Sequence, residues 1–79
     1  MTHPIEPNQV LDTSGLQCPL PILRTKKALA PMLSGEILKV IATDPGAADD
    51  FPAFAKQTGN ALLAEEKEGD TFIFYMQRR

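Results

Sequence analysis

The chain has 79 residues, a formal net charge of -2, 43% hydrophobic residues, one cysteine and one histidine. That length holds one small domain, which buries about 60% of the surface its unfolded chain exposes, so chemistry at the surface is expected over a closed catalytic cavity. The acidic balance argues against a direct nucleic-acid partner, and a lone thiol with a lone imidazole, His3, excludes an internal disulfide and a Cys/His metal cluster. With neither a secretory pattern in "MTHPIEPNQV" nor a run of about 20 apolar residues, the chain reads as cytoplasmic and without a membrane partner.

Residues 1–8, with Pro4 and Pro7, show little periodicity and read as a flexible leader in which His3 is a bystander; residues 9–79 read as a single domain. "QVLDT" is a short strand ending at the turn formers Asp12, Ser14 and Gly15. After "CPLP", the stretch "ILRTKKALAPML" places Ile22, Leu29 and Leu33 near helical spacing. Thr25 and Met32 widen that face, and Arg24, Lys26 and Lys27 lie outside it. Pro31 is expected in or near the last turn, before Ser34 and Gly35 end the element.

"EILKVIAT" is apolar and β-branched on both faces, as a central strand requires, and stops at Asp44-Pro45-Gly46. "AADDFPAFAKQT" is the second helix, with Pro52 acceptable only in its first turn and Gly59-Asn60 closing it. "ALLAEEK", a turn at Glu68-Gly69-Asp70 and "TFIFYMQ" form a hairpin. Within it Phe72, Phe74 and Met76 share one face and Ile73 and Tyr75 the other, aromatics of a core or sheet surface and not of a base-stacking platform. The order β-α-β-α-β-β predicts a two-layer α/β sandwich, two helices on one face of a four-stranded mixed sheet.

The single thiol lies in "SGLQCPLPIL". Proline has no N–H and a fixed φ, so it suits the first helical turn, whose amides lack intrahelical partners. Cys18 therefore reads as an N-cap, with Pro19 and Pro21 shaping the turn that follows. Helix-end effects of about 0.3 to 1 kcal/mol, and ~2 at most, would lower the thiol pKa by roughly one unit. The competing reading is a small buried hydrophobe, the commonest fate of a free cysteine; a position between a turn and a helix start is normally polar and exposed, which favours an accessible thiol.

Arg24, Lys26 and Lys27 admit two readings, a solvated polar face or a docking patch for acidic partner surfaces. Asp44 and Asp50 are accounted for as turn and N-cap residues, and Arg78 and Arg79 as a charged tail.

"LDTSGLQCPLPIL" and "ATDPGAADDFPAF" resemble the TusA/SirA-like sulfur-carrier proteins, matching their Leu-Asp-x-x-Gly-Leu-x-Cys-Pro-x-Pro motif and their strand-end Asp-Pro and helix-start Asp-Phe-Pro pattern. The likeness runs from Val10 to about Arg78. It implies that Cys18 accepts a sulfane sulfur, holds it as a transient persulfide with no other cofactor or metal, and passes it to a cysteine of another protein. The implied donors are cysteine desulfurases or rhodanese-like proteins. The implied acceptors serve tRNA 2-thiouridine synthesis or cytoplasmic sulfur oxidation, and some similarity to members of the second kind is visible in "CPLPILRTKKAL" and "IATDPG".

Two other classes remain in view. An RNA-binding or regulatory module without thiol chemistry is compatible with a small α/β sandwich, although the charge balance opposes it. A thiol redox enzyme lacks the resolving cysteine that a Cys-x-x-Cys site provides.

Overall fold

The computed structural model describes residues 5–79; the expectations for His3 and Pro4 lie outside the described residues. The elements follow in the order β1 (Gln9–Thr13), α1 (Leu20–Leu29), β2 (Ile37–Ala42), α2 (Ala47–Thr58), β3 (Ala61–Glu68) and β4 (Thr71–Gln77). They form one four-stranded sheet in the order β1-β2-β4-β3. β1 runs parallel to β2, while β4 is antiparallel to both β2 and β3. The expected architecture is the observed one, with both helices on one face of a mixed sheet.

β2 is interior to the sheet because its alternate residues Leu38, Val40 and Ala42 are apolar and buried, and they pair across to Met76, Phe74 and Phe72 on the same face. α2 adds Ala47, Phe51, Phe54 and Ala55, a spacing of four, three and one residues that makes a single helical stripe. Phe51 lies on Phe74 with ring centroids 4.3 Å apart and planes 8° from parallel, and Phe74 continues the stack to Phe72 at 6.2 Å. Burying a phenylalanine side chain completely contributes about 1.5 to 3 kcal/mol, so this stack is the main apolar tie between α2 and the sheet. Ile73 and Tyr75 occupy the opposite sheet face, where Lys39 Nζ sits 6.0 Å from the Tyr75 ring centre.

α1 buries a smaller stripe, Pro21, Thr25 and Leu29. The Thr25 hydroxyl donates to the Pro21 carbonyl at 2.8 Å, so its burial leaves no polar atom unmatched. The expected helix ran on to Met32 and Leu33; the observed one stops at Leu29 with Ala30 as its cap. Pro31 explains the early stop: Ala30 N can still donate to Lys26 O at 3.2 Å, but proline has no N–H for the next bond. Met32 then turns into the core while Leu33, expected on the apolar face, is 71% exposed.

Pro52 also departs from expectation. It lies inside α2, beyond the first turn. The N–H it lacks would have bonded the carbonyl of Ala48, an exposed residue. Gly59 ends α2 in the left-handed conformation at φ 80°, as expected of it. The hairpin reverses at Gly69 and Asp70, so β3 reaches Glu68.

The C-terminal arginines are more than a charged tail. Arg78 N donates to Glu36 O at 2.8 Å, extending the β4–β2 pairing, and Arg78 Nε donates to Leu29 O at 3.1 Å. The guanidinium thereby caps the end of α1, where carbonyls lack partners and the dipole favours a cation. Arg79 N donates to Asn60 Oδ1 at 2.9 Å, which ties the chain end to the turn after α2.

Candidate functional site

The loop that presents the sulfur is fixed by short-range hydrogen bonds. Thr13 is buried and its hydroxyl donates to Ile41 O on β2; Asp12 Oδ1 accepts from Ser14 N at 2.9 Å, and Gly15 N donates to Thr43 Oγ1 at 2.8 Å. The Ser14 contacts hold the Asp12 carboxyl below its ordinary pKa. Gly15 has φ 81°, a conformation that side chains resist, and from there the chain passes to Cys18.

Cys18 is exposed, which excludes the reading of a buried small hydrophobe. It is not the N-cap. Leu20 N donates to Gln17 O at 2.8 Å, closing a turn that contains Cys18 and Pro19, and the first helical bond runs from Leu23 N to Pro19 O at 3.1 Å. Pro19 is therefore the cap residue, without a side-chain bond, and Pro21 is in the first turn. The Cys18–Pro19 peptide is cis.

The expected lowering of the thiol pKa is also corrected: the Cys18 thiol is pushed up. The first cause is a hydrogen bond with the Asp50 carboxylate, followed by partial desolvation and by the negative charges of Asp50 and Asp44. A carboxylate in the same cleft outweighs a helix end from which the sulfur has stepped back by one residue.

Asp50 is likewise not an N-cap. The cap of α2 is Gly46, and Asp50 follows in the first turn. Helical phase puts Asp50, Ala53, Phe54 and Gln57 on one side of α2, and with Cys18, Pro19 and Ile22 they line an open cleft of about 250 Å³. Asp44 keeps its expected turn role, its Oδ2 accepting from Gly46 N at 3.1 Å. Sequence reasoning missed Asp50 as the sulfur's neighbour because Asp49 and Asp50 look alike until the helix is phased. The Phe51-Phe54-Ala55 spacing holds that phase, and it was the signal to use.

The cationic residues of α1 separate. Lys26 lies on the groove between the helices, where it joins Phe54, Gln57, Arg78 and Arg79 around a second hollow of about 290 Å³. Arg24 and Lys27 are exposed elsewhere on the helix. Two leucines that follow Cys18 on α1 are open to solvent: Leu20 is 43% exposed and Leu23 is 53% exposed. The sequence does not mark them as exposed, since Leu20 reads as part of a proline-shaped turn and Leu23 as an ordinary helical residue.

No helix among the described residues is long and apolar enough to cross a membrane. All five aromatic residues, Phe51, Phe54, Phe72, Phe74 and Tyr75, are buried or half-buried, so they build the core and offer no open stacking surface.

Comparison with known proteins carries the site further. The fold matches a crystal structure of a SirA-like protein from Desulfitobacterium hafniense, with TM-score 0.74 and 24% identity over 87% of this chain and 95% of that one. The sulfur carrier protein TusA of Allochromatium vinosum is 59% identical over 71 residues, 90% of this chain and 93% of its own length. The sulfur carrier protein TusA of Pseudomonas paraeruginosa is 34% identical over all of this chain and 98% of its own length. Residues 9–78, which span the sheet, both helices and the exposed thiol, match the family model of the sulfurtransferase TusA, and the chain belongs to that family of sulfur carriers.

Proposed function

We propose that this protein relays sulfur on Cys18, taking a sulfane sulfur from a donor protein as a persulfide and handing it to a cysteine of an acceptor. The observation that carries the reading is an exposed, solitary thiol at the entry to α1 in a chain of the sulfur-carrier family. In the receiving step Cys18 Sγ attacks the outer sulfur of a donor persulfide. A new S–S bond forms, the donor's S–S bond breaks, and its electron pair leaves on the donor thiolate. The outer sulfur keeps its oxidation state, so neither oxidant nor reductant is consumed, and no cofactor beyond the transient persulfide is required. Delivery is the same step with the roles exchanged.

Such exchange needs an approachable sulfur and a surface that a partner can cover. Leu20 and Leu23, exposed on the helix that follows the thiol, supply apolar contact, and Arg24, Lys26 and Lys27 supply positive charge that steers an acidic partner. A cysteine desulfurase or a rhodanese-like protein is the donor class this chemistry fits, and the acceptor is a protein with a reactive cysteine serving tRNA thiolation or sulfur oxidation.

The test is mass spectrometry after incubation with a cysteine desulfurase and cysteine, or with a small sulfane donor. The expected result is a gain of about 32 Da per sulfur, located on Cys18 and removed by reductant. Uptake by the Cys18→Ser protein at the wild-type level would overturn the assignment.

A further inference from the structure

Asp50 and Cys18 come from different elements, and their meeting is built into the fold. α2 is phased by Phe51 and Phe54, which are buried against the sheet, so the residue before Phe51 is directed to the groove shared with α1. There Asp50 lines the same open cleft as Cys18, and its carboxylate is the main influence that pushes the thiol pKa up. The turn before α2 leaves room for it: Asp50 N donates to Gly46 O at 2.9 Å, and a Cβ added at Gly46 would stand 3.4 Å from Asp50 Oδ2 and 2.9 Å from Asp44 Oδ2. Gly46 thus keeps the space around the two carboxylates free of side chain.

We propose that Asp50 governs the proton of Cys18: its carboxylate holds the thiol proton at rest, takes it when the sulfur attacks a donor persulfide, and gives it to the departing donor thiolate. This rests on the sulfur-relay reading above. The step balances: Cys18 thiol and donor persulfide become Cys18 persulfide and donor thiol, while Asp50 ends as the carboxylate it began. In open water a carboxylate is a poor acceptor for a thiol proton. A partner that covers the cleft displaces that water, and transfer of the proton through the carboxylate then follows the negative charge as it moves onto the donor sulfur. At rest the carboxylate keeps the sulfur from ionising, which protects an exposed thiol from casual electrophiles and oxidants.

The other charged groups around Cys18 do not offer this role. Asp44 acts on it through charge alone, its Oδ2 being held by Gly46 N. Asp12 is engaged with Ser14, Lys26 faces the farther hollow of the groove, and Arg24 and Lys27 are exposed on α1.

The experiment compares wild type, Asp50→Asn, Asp50→Glu and Asp44→Asn in two readouts: the pH profile of Cys18 alkylation by iodoacetamide, and the rate of sulfur receipt from a cysteine desulfurase supplied with cysteine. Asp50→Asn is expected to move the alkylation midpoint to lower pH and speed alkylation at pH 7 several-fold, yet slow sulfur receipt several-fold. Asp50→Glu is expected to restore both towards wild type. Asp44→Asn should move the midpoint down by less and leave receipt unchanged. An unmoved midpoint in Asp50→Asn overturns the proposal, as does receipt that rises in step with alkylation, the mark of a charge that merely suppresses the thiolate. If wild type receives no sulfur at all, the relay reading fails, while the alkylation profile still decides whether Asp50 holds the proton.

Discussion

The two helices lie on the same sheet face and both begin without a side-chain cap, yet they meet the sheet differently. α2 drives Phe51 and Phe54 into the core and stacks Phe51 on Phe74, whereas α1 buries the lesser volumes of Pro21, Thr25 and Leu29 and leaves Leu20 and Leu23 to solvent. Charge divides them too: α2 opens with Asp49 and Asp50 and α1 closes with Lys26 and Lys27. The lesson is a division of labour. α2 is a fixed platform that holds a carboxylate in place, and α1, in the relay reading proposed above, is the face offered to partners.

The strongest way to break this contrast is to remove the anchor of the platform. Phe51→Ala deletes a fully buried ring from the middle of the stack, a change that costs about 3 to 5 kcal/mol. For a domain of this size that lowers the melting temperature by at least ~12 °C, out of a total stability of about 5 to 15 kcal/mol. Thermal denaturation followed by circular dichroism reads the effect. A loss of under ~1 kcal/mol would mean that α2 is held by something other than the stack.

A smaller effect is expected where α1 is tied down only at its end. Arg78→Gln removes the cation that caps Leu29 O while leaving the backbone pairing of residue 78 with Glu36 in place. The expected cost is about 0.3 to 1 kcal/mol, diminishing in high salt as the interaction with the helix end is screened. Denaturant unfolding at low and high salt measures it, and a salt-independent loss would assign the residue's contribution to packing instead.

Most of the fold was legible because each element carries its own punctuation: Asp44-Pro45-Gly46 stops a strand, Gly59 ends a helix, and the alternation in "TFIFYMQ" assigns faces. The errors fall where a local rule admits two solutions. Two prolines at a helix entry are compatible with a cap at Cys18 or at Pro19, and the hydrogen bond from Leu20 N to Gln17 O decides for the second. Pro31 is compatible with a last turn or with the loop just past it, and the same holds in reverse for Pro52, which an exposed Ala48 lets into a helix interior. At the site, the sulfur and its exposure were readable from chain-local pattern. Its pKa was not, because the deciding group comes from an element 32 positions along the chain, Asp50 against Cys18, and only tertiary packing brings the two together. Arg78 was misjudged for the same reason, its partner Leu29 lying across the fold.

The smallest effect on the folded protein is expected from Leu23→Ser, and it sharpens the contrast most directly. Leu23 is 53% exposed, so its replacement removes little buried area and should leave stability within about 0.5 kcal/mol. It stands one helical turn from Pro19, on the helix that follows the thiol, and the relay reading makes that helix part of the partner's footprint. Sulfur receipt from a protein donor should therefore slow several-fold through weaker docking, seen as a higher KM with kcat little changed. Receipt from a small sulfane donor, which needs no docking surface, should be unaffected. Equal slowing with both donors would place Leu23 in the support of the thiol rather than in the surface offered to partners, and α1 would lose its claim to be the presenting face.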